Sequence, residues 1–199
     1  MRAVIPEVTP DIVAWRKRTG AHYWDEMWEG ELHMAPVPNR SHQELAGDLH
    51  VWLEIHWAKP GGNRVFPPIN LASPGGWPKD YRIPDLVLLK PDRFHIDRDE
   101  YFEGPPTVVV EIHSPGDEAY EKLDFYARLG VPEVWIVHRD TKEPEIYLLS
   151  GETYHPAAAG AEGWIHSPAT GVRMKAEAGP KLAVQMGERE DTRGLLPER

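Results

Sequence analysis

The sequence predicts a mixed α/β fold, a central sheet flanked by helices, on three observations. Short runs of β-branched and aliphatic residues (83–89, 107–113, 133–138) alternate with amphipathic stretches of helical period. One such stretch, 117–129, stands between two of the apolar runs, the order of a right-handed β–α–β crossover. The 199 residues are 41% hydrophobic and include eight Trp, seven Tyr and four Phe, enough apolar surface for a packed interior.

The elements follow in order. Residues 7–19 read as a helix, with Thr9 as N-cap, Pro10 at the first position and Gly20 past the end. Residues 23–28 and 31–35 read as a hairpin through Glu29-Gly30, stopped by Pro36 and Pro38. Asn39 or Ser41 caps a long helix running to His56 or Trp57, where Lys59-Pro60-Gly61-Gly62 ends it. Its stripe His42, Leu45, Leu49, Trp52, His56 has the spacing of a buried face. In the Pro- and Gly-rich segment 63–76, residues 65–71 suggest a short strand. The better strands at 83–89 and 107–113 are joined by the charged, irregular 91–106. The helix at 117–129 stops at Gly130 and Pro132, and strands follow at 133–138, 145–149 and 153–156. From Ala157 the chain is small and Gly-rich, with a weak strand near Trp164 or at 172–174. The resulting division is an N-terminal helical extension (1–22), one domain (23–187) and a disordered, charged tail (188–199).

Composition removes several function classes. Without cysteine there are neither disulfides nor thiolate metal sites. No apolar run approaches the roughly 20 residues that span a bilayer. Pro6, Glu7, Pro10 and Asp11 break any signal-peptide core, so a soluble cytoplasmic protein is expected. Walker, GxGxxG, GxSxG and HExxH signatures are missing, and His50, Glu54 and His56 do not have zinc spacing. The net charge of −10 argues against a broad basic face for nucleic acid; the strongest basic cluster, Arg16-Lys17-Arg18, is short.

The chemistry-bearing words are Pro84-Asp85, Glu111-Ile112-His113 and Lys122. On a strand Val109, Glu111 and His113 share one face and Val108, Val110 and Ile112 the other. A Glu closing an apolar strand is costly to bury unless it is charge-paired or metal-bound. Lys122, on the segment that follows, can carry its ammonium toward the sheet over an apolar stem. Two carboxylates from neighbouring strands with a basic group beside them suit a divalent cation and the activation of water against a phosphodiester. A structural Glu111–Lys122 ion pair and a turn-capping Asp85 are the competing explanations of the same residues.

The words IPDLVLL, VVVEIHSP and DEAYEKLDFYARLGVPEVWIV, with the earlier EGELHMAP and SHQEL, resemble in order the Uma-type family of restriction-endonuclease-like proteins, a branch of the PD-(D/E)xK nuclease fold. The resemblance spans 23–155 and implies a restriction-endonuclease-like mixed central sheet flanked by helices, with a divalent-metal site. It assigns Asp85 and Glu111 as carboxylates for Mg²⁺ or Mn²⁺ and the Ile112 carbonyl as a further oxygen ligand. Lys122 takes the place of the motif lysine that His113 replaces, and would orient the attacking water. His113 is then a general base, a softer ligand or a spectator. Glu31 matches the GE motif and offers a third carboxylate; His42 matches the helix-entry His as an accessory residue. The implied activity is a metal-dependent DNA endonuclease acting as a homodimer. Two alternatives stay open: a catalytically silent module that keeps the fold, and a metal-dependent hydrolase of a small phosphorylated substrate. A basic cleft would favour the nuclease, a closed pocket the small substrate, and an occluded site the silent module.

Overall fold

A computed structural model describes residues 4–5 and 9–198. In chain order the strands are β1 (Val4–Ile5), β2 (Asp25–Trp28), β3 (Glu31–Met34), β4 (Arg64–Phe66), β5 (Asn70–Ala72), β6 (Tyr81–Arg82), β7 (Leu86–Leu89) and β8 (Tyr101–Glu103). The remainder are β9 (Val108–His113), β10 (Glu133–His138), β11 (Pro144–Ser150), β12 (Thr153–Pro156), β13 (Ile165–His166), β14 (Val172–Glu177), β15 (Lys181–Met186) and β16 (Arg189–Leu196). The α-helices are α1 (Pro10–Thr19), α2 (Arg40–Leu53), α3 (Lys59–Gly61) and α4 (Leu123–Leu129). No helix among the described residues is long and apolar enough to cross a membrane.

The central sheet runs β12-β11-β10-β9-β7-β4 and is mixed: β9 and β10 are parallel, joined through α4, and the other neighbours are antiparallel. Its inner strands are apolar on both faces because both faces are covered. Val108, Val110, Ile112, Trp135 and Val137 pack with Leu45, Leu49, Trp52 and Leu53 of α2. Val109, Val134 and Ile136 pack on the opposite side with Phe125, Tyr126 and Leu129 of α4. Glu111 lies on this second face, as the alternation requires. A second sheet, β1-β3-β2-β6-β5-β8, contributes Leu71 and Phe102 to the same α4-side core.

The hairpin turn has positive φ at both Glu29 (52°) and Gly30 (93°), the backbone of the tight turn whose twist suits two antiparallel strands. Asn39 caps α2, its side chain accepting from the His42 backbone N–H at 3.0 Å. After Leu53 the helix widens into a π turn over Glu54–Ala58, which turns Trp57 and Ala58 into the core.

Three expectations are corrected. Residues 65–71 divide into β4 and β5, which sit in different sheets. The helix expected from 117 begins only at Leu123, because the Asp117 carboxylate binds the backbone N–H groups of Ser114 and Ala119 and holds a turn there. The first helix has Thr9 at its N-cap, Pro10 at its first position and Gly20 past its end, as expected, although Thr9 makes no side-chain cap bond; the expected start at residue 7 lies outside the described residues. The tail is not frayed over 189–196: those residues are β16, which closes a third sheet, β13-β14-β15-β16. Leu196 is 1% exposed in the α2-side core, and Trp52 donates its indole N–H to the Thr192 carbonyl at 2.8 Å.

Candidate functional site

The site is built at the ends of β7 and β9. The antiparallel register pairs Leu86 with Val110, and residues 83–85 ahead of it lie outside the ladder. The Ile112 N–H is taken there by the Asp85 side chain, Oδ2 at 2.6 Å. In a strand the carbonyl of a residue points the same way as its N–H, so the Ile112 carbonyl lies on the same edge of β9 as this bond. Pro84, just before Asp85, has no backbone N–H to extend the ladder. Asp85 Oδ1 meets His42 Nε2 at 2.8 Å, and His42 Nδ1 faces the Ser114 hydroxyl at 3.4 Å. The Asn39 cap fixes His42 in the first turn of α2, which is why the helix delivers it here.

Glu111 is 3% exposed. Tyr126 donates its hydroxyl to Oε1 at 2.5 Å and Lys122 its ammonium to Oε2 at 3.2 Å. Lys122 also pairs with Glu26 Oε1 at 2.9 Å and reaches the Ile83 carbonyl at 3.4 Å. Burial pushes the Glu111 carboxyl up to about 8; Lys122 opposes this rise, and Asp85 and Glu26 add to it. Burial works against the Lys122 charge, but Glu111 and Glu26 outweigh it and hold the ammonium above its ordinary range. Burial, followed by the Glu111 charge, keeps the Tyr126 hydroxyl protonated and donating.

These groups open into a cavity of about 380 Å³. Glu26, Asp85, Glu111, Asp117 and Glu118 line it, against Lys122 and Arg139. Sequence reasoning missed Glu26. It is 4% exposed, accepts from Ile83 N–H at 2.8 Å and from the Trp28 indole at 2.7 Å, and faces His33 across the hairpin. His33 in turn meets Glu118 at 3.1 Å. A carboxylate in mid-strand directly across from a histidine was the available signal.

Two expected residues are not brought together with the others. Glu31 is exposed, one pleat nearer the turn than Glu26's partner His33, and is absent from the cavity wall. The two-residue turn sets that register, so the GE glutamate faces solvent and Glu26 occupies the interior position. His113 shares the sheet face of Glu111, yet its Nδ1 is engaged by Asp117 at 2.7 Å and its ring packs edge-on to Tyr120 and His138. It holds the 114–119 turn from outside and does not line the cavity.

Among the described residues no three His, Asp or Glu side chains converge as a ready-made metal cage. Mg²⁺ is commonly held by one or two carboxylates with water completing the shell, and the carboxylates of Asp85 and Glu111 are hard oxygen donors of that kind on one cavity wall.

A search of curated proteins returned no match. Among solved structures, the fold matches a crystal structure from Anabaena variabilis described as "a putative nuclease belonging to DUF820", with a TM-score of 0.58 and 14% identity over 73% of this chain and 82% of that one. At that identity the likeness shows the fold alone. The Uma2 family model, described as "Putative restriction endonuclease", matches residues 11–184. The chain therefore belongs to the Uma2 family of restriction-endonuclease-like proteins.

Proposed function

We propose that this chain is a divalent-cation-dependent endonuclease that hydrolyses DNA phosphodiester bonds, acting in the cytoplasm as a homodimer. The observation that carries the proposal is one cavity holding Asp85 and Glu111 from adjacent strand ends, with Lys122 on Glu111. Family membership supports the same chemistry. Asp85, Glu111 and the Ile112 carbonyl would hold Mg²⁺ or Mn²⁺, which when bound supplies a Lewis acid for the phosphoryl oxygen and an activated water. Lys122 orients that water and offsets charge building on the phosphoryl oxygens. His42 fixes the rotamer of Asp85 through Oδ1, and Tyr126 fixes Glu111 through Oε1.

The test is calorimetric titration with Mn²⁺ together with nicking of supercoiled plasmid. Asp85→Ala and Glu111→Ala should each lose metal binding and cation-stimulated cleavage while keeping the circular dichroism of the wild type. Full activity in either variant removes the site assignment. Sedimentation velocity tests the homodimer, and a strict monomer at working concentration rules it out. One observation favours a second reading: the cavity is small and acidic where a broad basic cleft was expected for duplex DNA, so hydrolysis of a small phosphate ester competes. Faster turnover of bis(p-nitrophenyl) phosphate than of any DNA would select that reading.

A further inference from the structure

We propose that the cleft takes single-stranded DNA in preference to intact duplex, an inference that rests on the nuclease reading above. The first reason is depth. Glu111 is 3% exposed, and the side chains of Asp85 and Lys122 are 13% and 12% exposed. A scissile phosphate must descend below the protein surface to meet them. The phosphates of a duplex sit on a stiff rod that resists bending, whereas an unpaired strand can bow its backbone into a recess at little cost.

The walls give the second reason. On one side rise Met34, Ala35, Pro36, Val37 and Pro38, a segment stiffened by two prolines; on the other stands the 114–119 turn. The space between them, about 380 Å³, falls in the range of a pocket for one small ligand, not of a trough for a helix. Trp24, half-buried on the same wall, offers a ring face on which one unpaired base can stack.

Charge gives the third. Basic contacts to phosphate support both duplex and single-strand binding, and here five carboxylates line the cleft against Lys122 and Arg139, whose guanidinium is held by both oxygens of Asp140 at 2.7 and 2.9 Å. With few basic contacts on offer, base stacking is the attraction left to this surface, and only an unpaired base exposes its face for it.

The experiment uses the full chain with Mn²⁺ and two fluorescein-labelled DNAs of one sequence, a single strand and a duplex closed by hairpins at both ends. Cleavage of the single strand should be at least about tenfold faster, as expected when no base pair must open. Val37→Trp, at a rim position 62% exposed, should narrow the entrance and reduce single-strand cleavage by about tenfold while Mn²⁺ binding by calorimetry is unchanged. Equal or faster cleavage of the closed duplex overturns the inference and leaves the nuclease standing. If neither DNA is cut, fluorescence anisotropy with Glu111→Gln decides. Selective capture of the single strand keeps the slot and removes the nuclease reading, whereas equal capture or none removes the inference.

Discussion

Tyr126→Phe removes one oxygen from the interior of the site and nothing else. The ring is fully buried between the central sheet and α4, and phenylalanine preserves its volume, so packing against Val109 and Leu129 is retained. What disappears is the 2.5 Å donor to Glu111 Oε1, in a carboxyl 3% exposed. A hydrogen bond to a charged or buried carboxyl is worth about 1.5–3 kcal/mol, more than an exposed one, because water cannot easily replace the lost partner. For a chain of this size each kcal/mol moves the melting temperature by about 2–4 °C, so the variant should melt about 3–12 °C lower. The second effect is on ligand geometry. Glu111 would retain only Lys122 to orient it, and loss of such an outer partner lowers metal affinity by about 10–100-fold. Differential scanning calorimetry and Mn²⁺ titration read the two effects separately. A melting temperature within about 1 °C of wild type together with unchanged Mn²⁺ affinity would refute the role given to Tyr126.

Three further outcomes are expected. His113→Ala should leave Mn²⁺ affinity within about twofold while raising amide exchange across 114–119, since His113 braces that turn through Asp117; a collapse of metal binding would return His113 to the ligand set. Leu196→Ala should destabilise the fold by about 2–5 kcal/mol in urea unfolding, as for any large core truncation, whereas a change near zero would mean that β16 is not part of the core. Glu133 is held above its ordinary carboxylate value by burial, with Ser167, Trp135 and the Ala169 N–H pulling the other way. A carboxyl whose folded-state value is raised contributes stability below its unfolded value and loses it as pH rises through the folded one. Wild type should therefore lose stability relative to Glu133→Gln as pH rises above about 4.5, and a flat difference across that window would refute the shift.

Where a short β-favouring run stands between turn residues, the sequence was readable to the residue. Glu133–His138 and Thr153–Pro156 are strands with the expected bounds, because β-branched and aromatic runs between turn residues leave few alternatives. Asn39 capped α2 as its side-chain chemistry suggested. Failures came where one side chain overrode the local pattern. Asp117 binds two backbone N–H groups and delays α4 by six residues relative to the periodic pattern, so Lys122 becomes its N-cap residue instead of lying mid-helix. Glu26 and Glu31 share a hairpin and a face, and only the two-residue turn decides which is interior. The 189–196 segment has no apolar alternation of its own, but Thr192 and Leu196 are anchored by α2, a partner far away in sequence. Asp85, Glu111 and Lys122 could be named from their words, whereas Glu26, Tyr126 and the His33–Glu118 contact are properties of packing.

The bond from the Ile112 N–H to Asp85 Oδ2 sets two selective pressures against each other. Asp85 closes the hydrogen bonding at the end of β9, where residues 83–85 do not continue β7. Asparagine at 85 would keep an acceptor for the Ile112 N–H and a partner for His42, and would give up only the negative charge. A library of this chain screened for heat resistance alone should accept asparagine at 85, while one screened for cation binding should keep aspartate. One side chain is both a stitch in the sheet and a charge in the cleft, and trading the second for the first is a step by which a descendant would keep the fold and lose the chemistry.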